Sequence, residues 1–210
     1  GHPDSPYADD ALYSVASRID VQSDADTAFA LYRRLLNLYP DSEHDPSSLN
    51  AVGVAHFQRG DYDRALVVFN RFLSEYPSND LVEDVTLNHA LCQLEKGEYD
   101  QAIAELHDVT ERYPMTAKLP ATVFYAGKAY FAMNDFATAR ANFNNIVAIA
   151  DPDYAPAAQF NIGQTYFSDR NFDDAIVAYR QTIELYPDSD SAQEAAFRIG
   201  WALERGQKYA

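Results

Sequence analysis

The sequence predicts an all-α fold, a right-handed α-solenoid of tandem helix-turn-helix units with five helix pairs and one terminal helix. Two observations carry this. Tyr39-Pro40, Tyr76-Pro77 and Tyr113-Pro114 stand 37 residues apart, and Tyr186-Pro187 returns after Asp151 has taken the place of the fourth proline. Ala28, Ala65, Ala102, Ala139 and Ala175 keep the same step, and Tyr62, Tyr99, Phe136 and Phe172 stand three residues ahead of the last four. Self-similarity at such a period marks a stacked architecture, in which each unit buries its apolar face against its neighbours.

Taken in order, residues 1–8 are expected to be disordered or a tag remnant. The first unit places helices near Asp9–Asp20 and Ala25–Leu38. The second runs from Pro46 to Tyr76, the third from Leu81 to Tyr113, the fourth from Pro120 to Ala150 and the fifth from Pro156 to Tyr186. A lone helix over Ser191–Arg205 follows, and 206–210 reads as the truncated start of a further one. The chain thus reads as one continuous domain over 9–205, excised from a longer protein.

Each first helix carries a small residue at mid-length: Gly53, Ala90, Gly127, Gly163 and Gly200. A mid-helix glycine costs about 1 kcal/mol against alanine, so close approach of a facing helix is required, with the alanines of the second helices as the expected approaching surface. Pro46, Pro120 and Pro156 lie in first helical turns, where a missing N–H costs nothing. Asp61, Glu98, Asp135 and Asn171 stand where an N-cap is needed. Tyr-Pro ends each second helix, because the residue before a proline is driven out of the helical region.

These motifs resemble the tetratricopeptide repeat, most fully in FNIGQTYFSDRNFDDAIVAYRQTIELYP, residues 160–187. The period of 37 exceeds the family's common 34, and the added residues follow the proline, as in YPDSDSAQEAAFRIG, 186–200. In that feature the chain is similar to bacterial cell-envelope members, the outer-membrane barrel-assembly lipoprotein and the Tol–Pal coordinator. The resemblance implies a non-enzymatic scaffold for other proteins, in the envelope or cytoplasm of a bacterium.

Sixteen basic residues against 32 acidic ones give a net charge of −16, which makes nucleic acid and anionic membrane surfaces poor partners. Aspartate outnumbers glutamate 22 to 10 and lysine occurs four times. Two readings stand side by side: a soluble acidic solenoid with solvated outer faces, or adaptation to a high-salt interior. No apolar run is long enough to span a membrane, and no signal peptide is read. The single cysteine, Cys92, lies in the apolar run LNHALCQL and is expected in the core.

Motifs for chemistry are lacking. His2, His44, His56, His89 and His107 are dispersed without ligand spacing, so no metal, cofactor or catalytic residue is assigned. His56 and His89, on successive first helices, could approach one another but are expected to be packing residues. In the resembled family the concave face is lined by first-helix residues three before, one after and four after the small residue. That register names Asn50, Val54 and Phe57, then Leu87, Leu91 and Leu94. It continues with Phe124, Lys128 and Phe131, Phe160, Gln164 and Phe167, and finally Phe197, Trp201 and Glu204. With only Lys128 and, at the edge, Arg198 as cations, no carboxylate clamp is expected. The expected peptide-binding surface is Phe124, Lys128, Phe131, Phe160, Gln164, Phe167, Phe197 and Trp201, an apolar aromatic groove for a protein segment, for the chain's own flanks or for another copy. The alternative is a structural spacer whose apolar face is consumed by stacking or self-association.

Potassium chloride separates the two readings of the acidic surface. High-salt adaptation raises the melting temperature well beyond about 0.2 M, where simple screening is already strong; an ordinary acidic solenoid gives a flat response there.

Overall fold

The computed structural model describes residues 7–19 and 21–209, so the disordered or tag-derived segment expected at 1–8 lies outside the described residues up to residue 6. Eleven helices and no strand occur among the described residues. Two compact units divide the chain, 1–98 and 99–210. The first holds α1 (Ala8–Arg18), α2 (Val21–Leu38), α3 (Asp45–Gln58), α4 (Tyr62–Glu75) and α5 (Val82–Glu95). The second holds α6 (Tyr99–Arg112), α7 (Leu119–Ala132), α8 (Phe136–Ile149), α9 (Ala155–Ser168), α10 (Phe172–Leu185) and α11 (Asp190–Tyr209). Within each unit every helix packs on the next, and α3 meets α5 as α9 meets α11. The continuous helix α11 passes through 206–209, where the sequence suggested a new helix, because no proline or capping residue interrupts it.

One turn is repeated at the end of each odd-numbered helix from α3 to α9. The left-handed residues are Gly60, Gly97, Asn134 and Arg170, with φ of 73°, 79°, 63° and 60°. In the first, the Gly60 N–H donates to the Phe57 carbonyl and the Asp61 N–H to that of His56, at 2.9 and 3.0 Å. The same pair of bonds recurs at 97–98, 134–135 and 170–171, the Schellman arrangement that satisfies helix-end carbonyls. Asp61, Asp135 and Asn171 then cap the next helix, accepting from the N–H groups of Arg64, Thr138 and Asp174. Glu98 differs, its carboxylate pairing with Lys96 at 2.8 Å. In α2 the backbone breaks at Asp24, whose carboxylate accepts from the Thr27 N–H at 3.2 Å, so the expected start at Ala25 is a capped one. Where the fourth Tyr-Pro is missing, Ala150 closes α8 in the left-handed region at φ 52°. Tyr76 and Tyr186, each before a proline, keep φ of −128° and −134°.

Aromatic rings, not the alanines the sequence suggested, fill the space the small residues leave. A Cβ at Gly53, Gly127 or Gly163 would stand 2.3, 2.8 or 2.5 Å from ring carbons of Phe69, Phe143 or Tyr179. These rings lie four residues after Ala65, Ala139 and Ala175, one helical turn further along the same stripe. All three are fully buried, as are the alanines. The third repeat has Ala90 and Leu106 at the corresponding positions of the sequence, each of them buried. Cys92 is buried, as expected.

Among the buried polar residues one is a carboxylate. Asp45, fully buried in the first turn of α3, stands where the later repeats carry Val82, Leu119 and Ala155. Neither carboxylate oxygen has a hydrogen-bond partner, and the Arg71 guanidinium is 3.9 Å away. Burial pushes the pKa up to about 6, opposed by Arg71 and assisted by Glu75 and Asp41.

Two stability measurements follow from these contacts. Gly53→Leu or Gly163→Leu is expected to lower the stability read from the denaturation midpoint by about 1 to 3 kcal/mol or more through overpacking. Gly200→Ala, where a Cβ meets nothing within 4 Å, is expected to stabilise by up to about 1 kcal/mol through helix propensity. Equal effects at the two sites would refute the ring contact as the reason for the glycines. For Asp45 the folded pKa lies above the unfolded one, so the native state holds its proton more tightly. Its contribution is therefore full below about pH 4 and is lost as the pH rises through 6. Asp45→Asn should remove that slope and raise stability at pH 7 by about 2 kcal/mol, read from urea midpoints between pH 4 and 7.

Candidate functional site

The three registers of the expected groove meet three different fates. The position three before the small residue packs on the second helix of its own repeat. Phe124 is only 8% exposed, with its ring 5.7 Å from that of Phe143 and 5.3 Å from that of Tyr154. It belongs to the core and not to a groove, which corrects its assignment to the binding surface. Phe160 is half-buried, 5.6 Å from the Tyr179 ring.

The position four after the small residue staples the turn. Phe57, Phe131 and Phe167 each meet the first residue of the following helix, Tyr62, Phe136 or Phe172, with ring centroids 5.6, 5.7 and 5.5 Å apart. Phe131 and Phe167 are half-buried by these contacts. Aromatic pairs at such distances add about 0.5–1.5 kcal/mol beyond area burial, so these rings hold repeats together before they can hold a partner.

At the position one after the small residue the outcome differs between repeats: Val54 packs against the core of the first unit. Lys128 is exposed, its ammonium 5.7 Å from the Tyr125 ring. The Gln164 carbonyl accepts from the Tyr179 hydroxyl at 2.8 Å, so one end of this side chain is committed to the core. Burial raises the pKa of that tyrosine, which keeps the hydroxyl a donor.

On α11 both remaining residues are open. Phe197 is 64% and Trp201 45% exposed, their rings 5.5 Å apart and edge-on. Arg198, fixed by Glu194 at 2.9 Å, lays its guanidinium 4.7 Å from the Trp201 ring. Phe124 and Phe160, the aromatic equivalents of Phe197, pack on a ring of the next helix, whereas nothing from another element stands within 4 Å of a Cβ at Gly200.

In the first unit His56 and His89 take separate roles. The His56 Nδ1 lies 3.6 Å from Asp61 and its ring packs edge-on against Phe29, while His89 is buried. The fold also brings together what the sequence separated: ligand atoms of Asp10, Glu43 and His44 lie within 4.8 Å of one another. His44 Nε2 is already 3.0 Å from Asp10 and its ring stacks on Tyr13 at 4.1 Å. These three are the described residues that could hold a cation, an arrangement with no sequence spacing to announce it.

Sequence and structure comparisons agree on the kind of repeat. Models of the tetratricopeptide repeat match residues 121–150 and 156–189, and that of the anaphase-promoting complex (cyclosome) subunit 3 matches 21–109. No curated protein matches the chain. Among solved structures, MamA from Desulfovibrio magneticus RS-1 superposes with a TM-score of 0.73 at 18% identity, over 90% of this chain and 98% of that one. TTC0263, a thermophilic TPR protein of Thermus thermophilus, gives 0.62 at 18% identity, over 93% and 99%. YrrB, described as a TPR protein with an unusual peptide-binding site, gives 0.66 at 18%, over 88% and 90%. No helix among the described residues is long and apolar enough to cross a membrane. With eleven helices among the described residues, each packed on the next within its unit, and two stretches that match by sequence, the chain has the tetratricopeptide-repeat fold.

Proposed function

We propose that the chain is a protein-interaction scaffold that docks a peptide segment of a partner on the first-helix face of its second unit, anchored at Phe197 and Trp201. The exposure of those two rings beside Gly200 carries the reading. At Gly53, Gly127 and Gly163 an aromatic ring fills the space in front of the glycine. A partner's aromatic or leucine side chain laid against Gly200 would make the same contact. Exposed large rings are where binding energy concentrates. Lys128 and Gln164, in the same register on α7 and α9, would orient a chain laid across the face, with Phe160, Phe131 and Phe167 as its supporting floor. The peptide-binding site named for YrrB supports this use in a protein of the same fold. A bacterial cell-envelope setting is proposed from the linker resemblance alone.

The open Gly200 surface also favours a second reading, self-association through α11, in which the filling helix comes from another copy or a further repeat. Light scattering between about 1 and 100 µM separates the two, since only self-association gives a dimer that Phe197→Ser and Trp201→Ala abolish.

For the preferred reading, selection from a displayed-peptide library should enrich sequences with an aromatic or leucine anchor. Adding a selected peptide should shift Trp201 emission to the blue, and Trp201→Ala should weaken binding about thirtyfold, for a loss of about 2 kcal/mol. Peptides that bind Phe197→Ser and Trp201→Ala as tightly as the unaltered chain would place the site elsewhere.

A further inference from the structure

Basic residues are scarce on this chain, yet they gather on one part of the first unit. Residues 1–98 hold seven lysines and arginines against seventeen aspartates and glutamates. Arg33, Arg64 and Arg71 line a cleft of about 470 Å³, and Arg33 and Arg34 line an adjoining one of about 520 Å³; no carboxylate lines either. The two share Arg33 and Asn37 on α2. Between the arginines the lining is apolar, from Leu36 and Leu38 on α2 to Val67 and Val68 on α4. Val67 is 70% and Leu38 51% exposed. On α4 the order Arg64, Val67, Val68, Arg71 is an i, i+3, i+4, i+7 stripe, so one helix face presents two cations around two valines.

Acidic residues steady this face from outside it. The Arg64 guanidinium donates to Asp61 at 3.0 Å, and Arg71 Nε lies 3.0 Å from both Glu75 oxygens, with buried Asp45 at 3.9 Å. Arg33 lies 5.5 Å from the Phe29 ring. Neither Arg33 nor Arg34 has a carboxylate partner among the described residues. At the floor, burial lowers the His56 pKa, and Arg64, Arg59 and Arg33 act in the same direction against Asp61. In the third repeat the places of Arg64, Val68 and Arg71 fall to Gln101, Glu105 and Asp108, so the chemistry belongs to the first two repeats alone.

We infer that the face between α2 and α4 is a docking surface for an acidic peptide segment that sets an apolar side chain between carboxylates. Guanidinium groups match carboxylates in paired hydrogen bonds, and the exposed valine and leucine take the apolar residue. The surrounding excess of carboxylates repels such a peptide elsewhere, which adds specificity of placement to affinity. The surface lies on other elements than the Phe197–Trp201 face and does not depend on it.

The probe is a fluorescent synthetic peptide of alternating Glu-Glu and Leu-Leu pairs, followed by anisotropy on the whole chain at low and high salt. Binding that falls with salt is expected. Arg33→Glu with Arg64→Glu should weaken it at least tenfold, and Val67→Asp, at an exposed position that leaves the core intact, should weaken it independently. Trp201→Ala should leave it unchanged, which separates this surface from the proposed aromatic one; far-ultraviolet circular dichroism confirms that each variant folds. Equal binding of a peptide with glutamine for glutamate would overturn the proposal, as would variants that bind like the unaltered chain. An anionic vesicle or single-stranded RNA bound more tightly, with the same arginine dependence, would also overturn it.

Discussion

The contact between a glycine on one helix and a large ring on the next organises the second, fourth and fifth repeats. Gly53 receives Phe69, Gly127 receives Phe143 and Gly163 receives Tyr179 at separations no Cβ could tolerate. The third repeat carries Ala90 and Leu106 at those positions of the register, each of them buried. Interiors are packed to crystal density, so a methylene added at these glycines costs a clash and one removed from the facing rings costs a cavity. The distance between the paired helices is thereby set. In the fourth and fifth repeats the residue three before the small one then falls against the ring, and the residue four after it reaches the start of the next helix.

The turns reinforce that geometry with few residues. Asp61, Asp135 and Asn171 each end one helix by donating backwards and begin the next by accepting forwards. A three-residue connection with no slack leaves little freedom in how the helices cross. The left-handed position tolerates Gly60, Gly97 and Asn134 easily. Arg170 at φ 60° is the strained member of the series, where a left-handed conformation costs an L-residue about 1–2 kcal/mol.

The two surfaces proposed for partners are chemically distinct. In the second unit the proposed surface is aromatic, at Phe197 and Trp201 beside Gly200. In the first it is basic and aliphatic, at Arg33, Arg34, Arg64 and Arg71 around Val67 and Leu38. A chain of net charge −16 repels anions over most of its surface, so a concentrated cationic face is the part of it able to attract them. A scaffold with two such faces would sort its partners by charge as well as by shape.

The all-α class, the helix pairs, their boundaries within a few residues and the caps at Asp61, Asp135 and Asn171 are legible in the sequence alone. Each depends on local chemistry repeated in phase: proline geometry, side-chain capping and 3.6-residue periodicity act within one or two turns of the chain. The candidate surfaces depended on tertiary contacts. Phe124, Phe160 and Phe197 share one register, yet the first is buried, the second half-buried and the third exposed, the first two packing on Phe143 and Tyr179 of the next helix. The arginine stripe at 64 and 71 was visible as a spacing. Its meeting with Arg33 and Arg34 was not, since residues about 30 apart in sequence become neighbours only when α2 and α4 settle on α3. Periodicity reports which way a side chain points from its own helix; whether anything lies in that direction is decided by the packing of other helices.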